Sequence, residues 1–193
     1  MTILVDGNGR GYSAQVTAQN KLAVDAVSTR AEEAAIREGE GWQIASGLVA
    51  FTGDASSAVL WFKNTGAADI VLDRAVLVLS SSDGTGDWRF QTLRNPTVGT
   101  IVSSALAAGI SNSNHGSAKL PDASVYRGVE GDTLTDGSGV PLPIQQSQNR
   151  VVFPLGRRLT TNTSIGFVVT PPPGNTAASA VVVGHIYNDT TGL

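Results

Sequence analysis

The chain has 193 residues with no cysteine, two histidines, one methionine, 41% apolar residues and only 15% charged ones. That composition excludes a disulfide scaffold, a cysteine-based zinc site, a cysteine nucleophile and a coiled coil. Thirteen basic and sixteen acidic residues give a net charge of −3, and no basic run exceeds Arg157-Arg158, so a groove tracking a nucleic-acid backbone is not expected.

The opening Met1-Thr-Ile-Leu-Val-Asp6 lacks the basic stretch and long apolar core of a secretory leader. No apolar run approaches the ~18 residues of a membrane span, so neither a leader nor a membrane partner is expected. The Gly-rich Asp6-Gly-Asn-Gly-Arg-Gly-Tyr12 leads into a polar stretch in which Leu22, Val24 and Ala26 alternate with Ala23 and Asp25, a weak strand signal. Thr29 to Gly39 then predicts a short helix. Thr29 and Glu32 have capping-box spacing, and Gly39 suits a left-handed C-terminal stop. Residues 1–40 therefore read as an extended N-terminal arm plus this helix.

From Trp42 onward the pattern is β. Trp42 to Thr52 predicts a strand, or two strands broken at Gly47, followed by strands over Ala58–Lys63, Ile70–Leu79 and Trp88–Leu93. Ile165–Thr170 and Ala180–Tyr187 flank Pro171-Pro-Pro-Gly-Asn-Thr-Ala177 and read as a hairpin. Short strands separated by Gly, Asn, Asp and Pro turns predict a mainly β chain, an antiparallel β-sandwich over residues 41–193. The pattern fades between Ser103 and Asn149, a length of irregular chain that is unusual in a compact domain. Leu120, Val125, Tyr126 and Leu142 are its candidate anchors, and the stretch reads as a long ordered loop excursion.

Chemistry-bearing residues are sparse. His115 lies in a Ser/Asn-rich loop and His185 in an apolar strand, too few for a catalytic or metal constellation. Asp83-Gly-Thr-Gly-Asp87 begins like a calcium loop, yet its twelfth position is Arg94 where an EF-hand needs glutamate. Glu130 and Asp132 form a near-adjacent acidic pair, the one foothold for a glycosidase. Trp42, Trp61 and Trp88 read as core residues of the sandwich, with an exposed sugar-stacking platform as the less favoured alternative. No catalytic residue, metal ligand or cofactor is assigned.

Several phrases carry a resemblance: Gly9-Arg-Gly-Tyr-Ser-Ala-Gln-Val16, Asn20-Lys-Leu-Ala-Val24, Ala26-Val-Ser28, Ala58-Val-Leu-Trp-Phe-Lys-Asn64, Gly86-Asp-Trp88, Arg94-Asn-Pro-Thr97, Gly128-Val-Glu-Gly-Asp132 and Ser164-Ile-Gly-Phe-Val-Val-Thr-Pro171. Through them the chain resembles a family of small virion structural proteins of tailed bacteriophages, found among capsid and head-associated components. The resemblance implies a jelly-roll-like β-sandwich acting as a cement, decoration or connector subunit, made in the host cytoplasm and located in the virion. Its implied partners are the major capsid protein and copies of itself, with a trimer preferred; nucleic acid and membrane are not expected, and glycan binding is less favoured. Basic and aromatic residues of the arm and the excursion, Arg10, Tyr12, Lys21, His115, Tyr126 and Arg127, are the candidate partner-binding residues.

Overall fold

The computed structural model describes residues 3–5, 13–16, 22–23, 30–104 and 106–189. The chain divides into two compact units, residues 1–30 and 31–193. In the first, β1 (Ile3–Val5), β2 (Ser13–Val16) and β3 (Leu22–Ala23) form a three-stranded antiparallel sheet in that order. Its register pairs Leu4 with Ala14 and Gln15 with Ala23. The stretch expected as an arm thus contains a small sheet of its own.

The second unit opens with α1 (Ala31–Arg37). Glu32 and Glu33 in its first turn and Arg37 in its last complement the helix dipole. Gly39 stops it as expected: its φ is +75°, and the N–H groups of Gly39 and Glu40 reach back to the carbonyls of Ile36 (3.0 Å) and Ala35 (2.7 Å), the paired bonds of a Schellman stop. Thr29, the expected cap, lies outside the described residues.

Eleven strands follow: β4 (Gly41–Ala45), β5 (Val49–Phe51), β6 (Ser57–Asn64), β7 (Ile70–Leu79), β8 (Trp88–Arg94), β9 (Gly109–Asn112), β10 (Ala123–Arg127), β11 (Pro141–Ile144), β12 (Arg150–Leu159), β13 (Ser164–Thr170) and β14 (Ala178–Asn188). One sheet has the order β10-β6-β13-β8-β11 and the other β12-β7-β14-β4-β9, with β5 also pairing β14. The pairings are nested. β4 pairs β14, β6 pairs β13, β7 pairs β12 and β8 pairs β11, all antiparallel. A long antiparallel ribbon rolled so that successive pairs fall in opposite sheets has this pattern, which is a jelly roll. The predicted antiparallel sandwich is therefore found.

Between the sheets lies a filled apolar core that includes Trp42, Phe51, Phe62, Trp88, Phe90 and Phe167. Phe90 stacks between Phe153 (4.7 Å) and Phe167 (5.9 Å), and Phe51 meets Trp88 edge-on at 6.0 Å. The predicted break at Gly47 is real. Gly47 has φ +68°, and Ser46 fills the gap along β14 by accepting the Val182 N–H on its hydroxyl (3.0 Å) while its own N–H bonds the Val182 carbonyl (3.0 Å).

Part of the irregular stretch, together with the segment before it, forms a strap. Residues 95–104 and 128–139 cross the outer face of the five-stranded sheet, where Ile101, Val102 and Leu134 pack on Ala58, Trp61, Leu93 and Val168. Between those crossings, β10 extends one sheet beside β6 and β9 extends the other beside β4. This explains why β6 and β13 are buried along nearly their whole length, with continuous apolar runs over Ala58–Phe62 and Ile165–Val169 rather than alternation: both faces are covered. Of the four expected anchors, Val125 is buried in the main core and Tyr126 packs on the outer cluster, whereas Leu120 and Leu142 are exposed.

Two expectations are corrected. Ile165–Thr170 and Ala180–Tyr187 do not form a hairpin, since β13 and β14 lie in different sheets. The prolines fix φ and lack N–H groups, and the tight turn they lead into, closed by the Asn175 N–H on the Pro172 carbonyl (3.2 Å) with Gly174 at φ +76°, sits in a crossing between the sheets rather than in a hairpin. Buried Asn175 anchors that crossing, donating to the Gly53 carbonyl (2.9 Å) and accepting from the Ser82 hydroxyl (2.6 Å). The second correction is β12, ten residues long and not anticipated. Pro154 and Gly156 interrupt its pattern, and its register slips between Pro154 and Arg157; a proline is tolerated there because β12 is an edge strand.

Candidate interaction surface

The carboxylates expected to carry any chemistry are built into the scaffold. Three of them make the same three-donor grip on a threonine and its successor. Glu130 accepts the Thr52 N–H (2.8 Å), the Thr52 hydroxyl (2.8 Å) and the Gly53 N–H (2.8 Å). Asp136 does the same with Thr97 and Val98, and Asp83 with Thr176 and Ala177. Each grip favours the ionised form. The Thr52 backbone and hydroxyl bonds lower the pKa of Glu130, the Thr97 hydroxyl lowers that of Asp136, and the Thr176 hydroxyl, then backbone, lowers Asp83 to about 2.

These groups staple loops that are far apart in sequence. A carboxylate held ionised by three donors is unsuited to general-acid work, which counts against Glu130 in that role. Asp132 itself accepts the Val129 N–H (2.8 Å) and the Thr100 hydroxyl (2.7 Å). Asp83, the first position of the calcium-like run, has both oxygens directed at Thr176 and Ala177. Among the described residues, no group of three or more His, Cys, Asp or Glu side chains could hold a metal ion.

All three indoles are buried, so no tryptophan offers a face for sugar stacking. Trp42 Nε1 donates to the Lys119 carbonyl (2.9 Å) and Trp61 Nε1 to the Pro96 carbonyl (3.0 Å). Of the candidate partner residues, Arg10, Tyr12 and Lys21 lie outside the described residues. His115 is exposed on the turn after β9. That turn is tied to the end of α1 by Asn114 Nδ2 on the Arg37 carbonyl (3.1 Å) and Asn112 Nδ2 on the Gly39 carbonyl (2.7 Å). Tyr126 and Arg127 are neighbours on β10 and so point to opposite faces; the Tyr126 ring lies flat on Trp61 at 5.5 Å and is half-buried in the outer cluster. These three residues sit on separate elements or faces and do not make one patch.

A second polar cluster lies where α1 covers the six-stranded sheet. Arg74 pairs with Asp73 (2.7 Å) and Glu32 (3.2 Å) and contacts His185 Nδ1 at 3.3 Å. In register, Gln43 of β4 stands opposite His185. Burial, followed by the Arg74 charge, lowers the His185 pKa below its ordinary 6.5, with Glu32 and Asp73 opposing. The unfolded chain then binds the extra proton first, so this contribution is complete above pH 6.5 and is lost as pH falls below it. Wild-type stability should therefore drop between pH 7.5 and pH 5.5 in urea melts, and His185→Gln should flatten that drop; equal slopes would contradict this.

Sequence reading overlooked a basic cleft of about 170 Å³ at the open side of the sandwich, lined by Arg94, Arg157 and Arg158 with Thr160, Leu159 and Ile165. Its signals were the Arg157-Arg158 pair and the Arg94-Asn-Pro-Thr97 phrase, but only the fold brings them together. In comparisons with known proteins, no family model, no curated protein and no solved structure matches the chain.

Proposed function

We propose that this chain is a non-enzymatic structural subunit of a tailed-phage particle. In this reading it is a cement or decoration protein that binds the major capsid protein lattice and associates with further copies of itself, as a trimer. The observation that carries the reading is the division of the chain into a jelly-roll body and a separate small β-unit ahead of it. A lattice protein works through repeated contacts, which calls for a rigid body and a second element able to engage a neighbour. Backbone pairing of such an element with a sheet edge needs little side-chain specificity, which suits the Gly-rich, polar residues 1–28.

Two further observations support it. The space between the sheets is filled by apolar side chains, and the jelly roll is an architecture used by capsid and lectin domains alike. The buried indoles favour the first of those uses over the second. Fold alone does not assign function, so the test is direct.

Removing residues 1–28 should leave the β-sheet circular dichroism of the body intact while abolishing co-sedimentation with capsids from the source genome. Retained co-sedimentation, or failure of the full chain to bind capsids, overturns the proposal. Copy number in purified particles separates the neighbouring roles. Hundreds of copies fit cement, whereas about a dozen fit a connector or neck protein, the roles that the resemblance also implies.

A further inference from the structure

We propose that the cleft between Arg94 and Arg157 is an oxyanion-binding site, taking a carboxylate or a single phosphate-type anion. The two guanidinium groups come from opposite sheets. Arg94 ends β8 in the five-stranded sheet, and Arg157 lies in β12 at the edge of the six-stranded one. A bulge precedes the second. The register of β12 slips between Pro154 and Arg157, and Gly156 within it has φ +52°, an interruption of the regular alternation.

Charge separates this cleft from an ordinary arginine-bearing surface. Its lining includes three arginines and no acidic residue, in a chain of net charge −3. Arg158 is already neutralised, by Asp69 at 2.9 Å and by Asp189. Among the described residues, Arg94 and Arg157 have no ion-pair or hydrogen-bond partner for their guanidinium groups. Leu159 and Ile165, both buried, form an apolar floor, and the Thr160 hydroxyl is a further donor. Guanidinium forks bind carboxylate and phosphate oxygens in bidentate fashion. About 170 Å³ falls below the roughly 300–1,000 Å³ of drug-sized pockets, so the fitting ligand is one small oxyanion or one acidic side chain.

The geometry is independent of the virion reading. It stands or fails on its own measurement. Titration calorimetry at low ionic strength would use two probes, inorganic phosphate and a short blocked peptide with one aspartate. Saturable binding is expected, weakened about tenfold by Arg94→Gln or Arg157→Gln, as loss of a charge-assisted bond implies, and abolished in the double variant. Arg150→Gln, on the same strand outside the cleft, should bind as the wild type does. Tighter binding of the peptide assigns the site to a protein carboxylate, and tighter phosphate to a free anion.

No saturable binding by the wild type, or unchanged binding in the double variant, overturns the proposal. So does aggregation of Arg157→Gln without loss of binding, the mark of a charge that only guards an edge strand. If the double variant does not fold, side-chain Nε–H shifts in the wild type decide: Arg94 and Arg157 should move with phosphate while Arg150 does not. Uniform or absent shifts count against the site.

Discussion

Trp88→Ala should cost about 3–5 kcal/mol of stability, the range for truncating a fully buried large aromatic. Trp88 has no solvent exposure and closes the core edge-on against Phe51. The sharper measurement is Trp88→Phe beside Trp42→Phe, because the two changes remove the same volume from one core. They differ in the indole N–H. Trp88 Nε1 is buried with no hydrogen-bond partner among the described residues, so its removal relieves a desolvated donor. Trp42 Nε1 donates to the Lys119 carbonyl, which also receives Asn112 Nδ2 at 2.9 Å, so its removal loses a bond without orphaning the acceptor. Releasing an unsatisfied donor is worth about 1–3 kcal/mol and losing a made bond costs about 0.5–1.5 kcal/mol. Trp42→Phe should therefore be the more damaging change by on the order of 2 kcal/mol in denaturant melts. Equal losses would show that the Trp88 N–H is satisfied in solution.

The residues that made the fold legible were those whose neighbours in sequence decide their surroundings. Ile70–Leu79 announces a strand because β-branched and aliphatic residues run between turn signals, and the helix stop at Gly39 depends on one residue's φ. The hairpin misreading shows the limit of local signals. Pro171 to Ala177 has turn composition in either case, and what separates a hairpin from a crossing is that β13 is claimed by β6 and β8 while β14 is claimed by β4 and β7. Edge strand β12 was hidden for a related reason. Pro154 and Gly156 disqualify a central strand, and no local feature says that an edge is vacant for it. The basic cleft was least legible of all, since Arg94 and Arg157 converge only once both sheets are in place.

Glycine abundance acquires a specific meaning in the strap. A Cβ on Gly128 would stand 2.0 Å from the Ala58 carbonyl oxygen, in central strand β6, where the backbone has no room to yield. Two bonds fix that contact, the Gly128 N–H to the Val59 carbonyl (3.0 Å) and the Ala58 N–H to the Asp132 carbonyl (2.7 Å). Gly139 repeats the arrangement at 2.2 Å from the Thr92 carbonyl oxygen in β8. So at Gly128 and Gly139 the strap backbone meets the sheet backbone directly, beside the side-chain packing of Ile101, Val102 and Leu134.

Gly128→Ala should accordingly cost at least the upper part of the roughly 1–3 kcal/mol typical of overpacking. Gly131→Ala tests a different cause in the same loop. There a Cβ meets nothing within 4 Å, but φ is +87°, so the cost is only the left-handed strain of about 1–2 kcal/mol. Hydrogen exchange should locate the damage. In Gly128→Ala the amides of Val129, Thr133 and Thr135 should exchange faster while those of β7 and β14 keep most of their protection, because the strap opens as a local unit. Loss of protection throughout both sheets would instead make the strap part of the global folding unit. If Gly131→Ala proved the more damaging of the two, the close approach to β6 would not be what holds the strap in place.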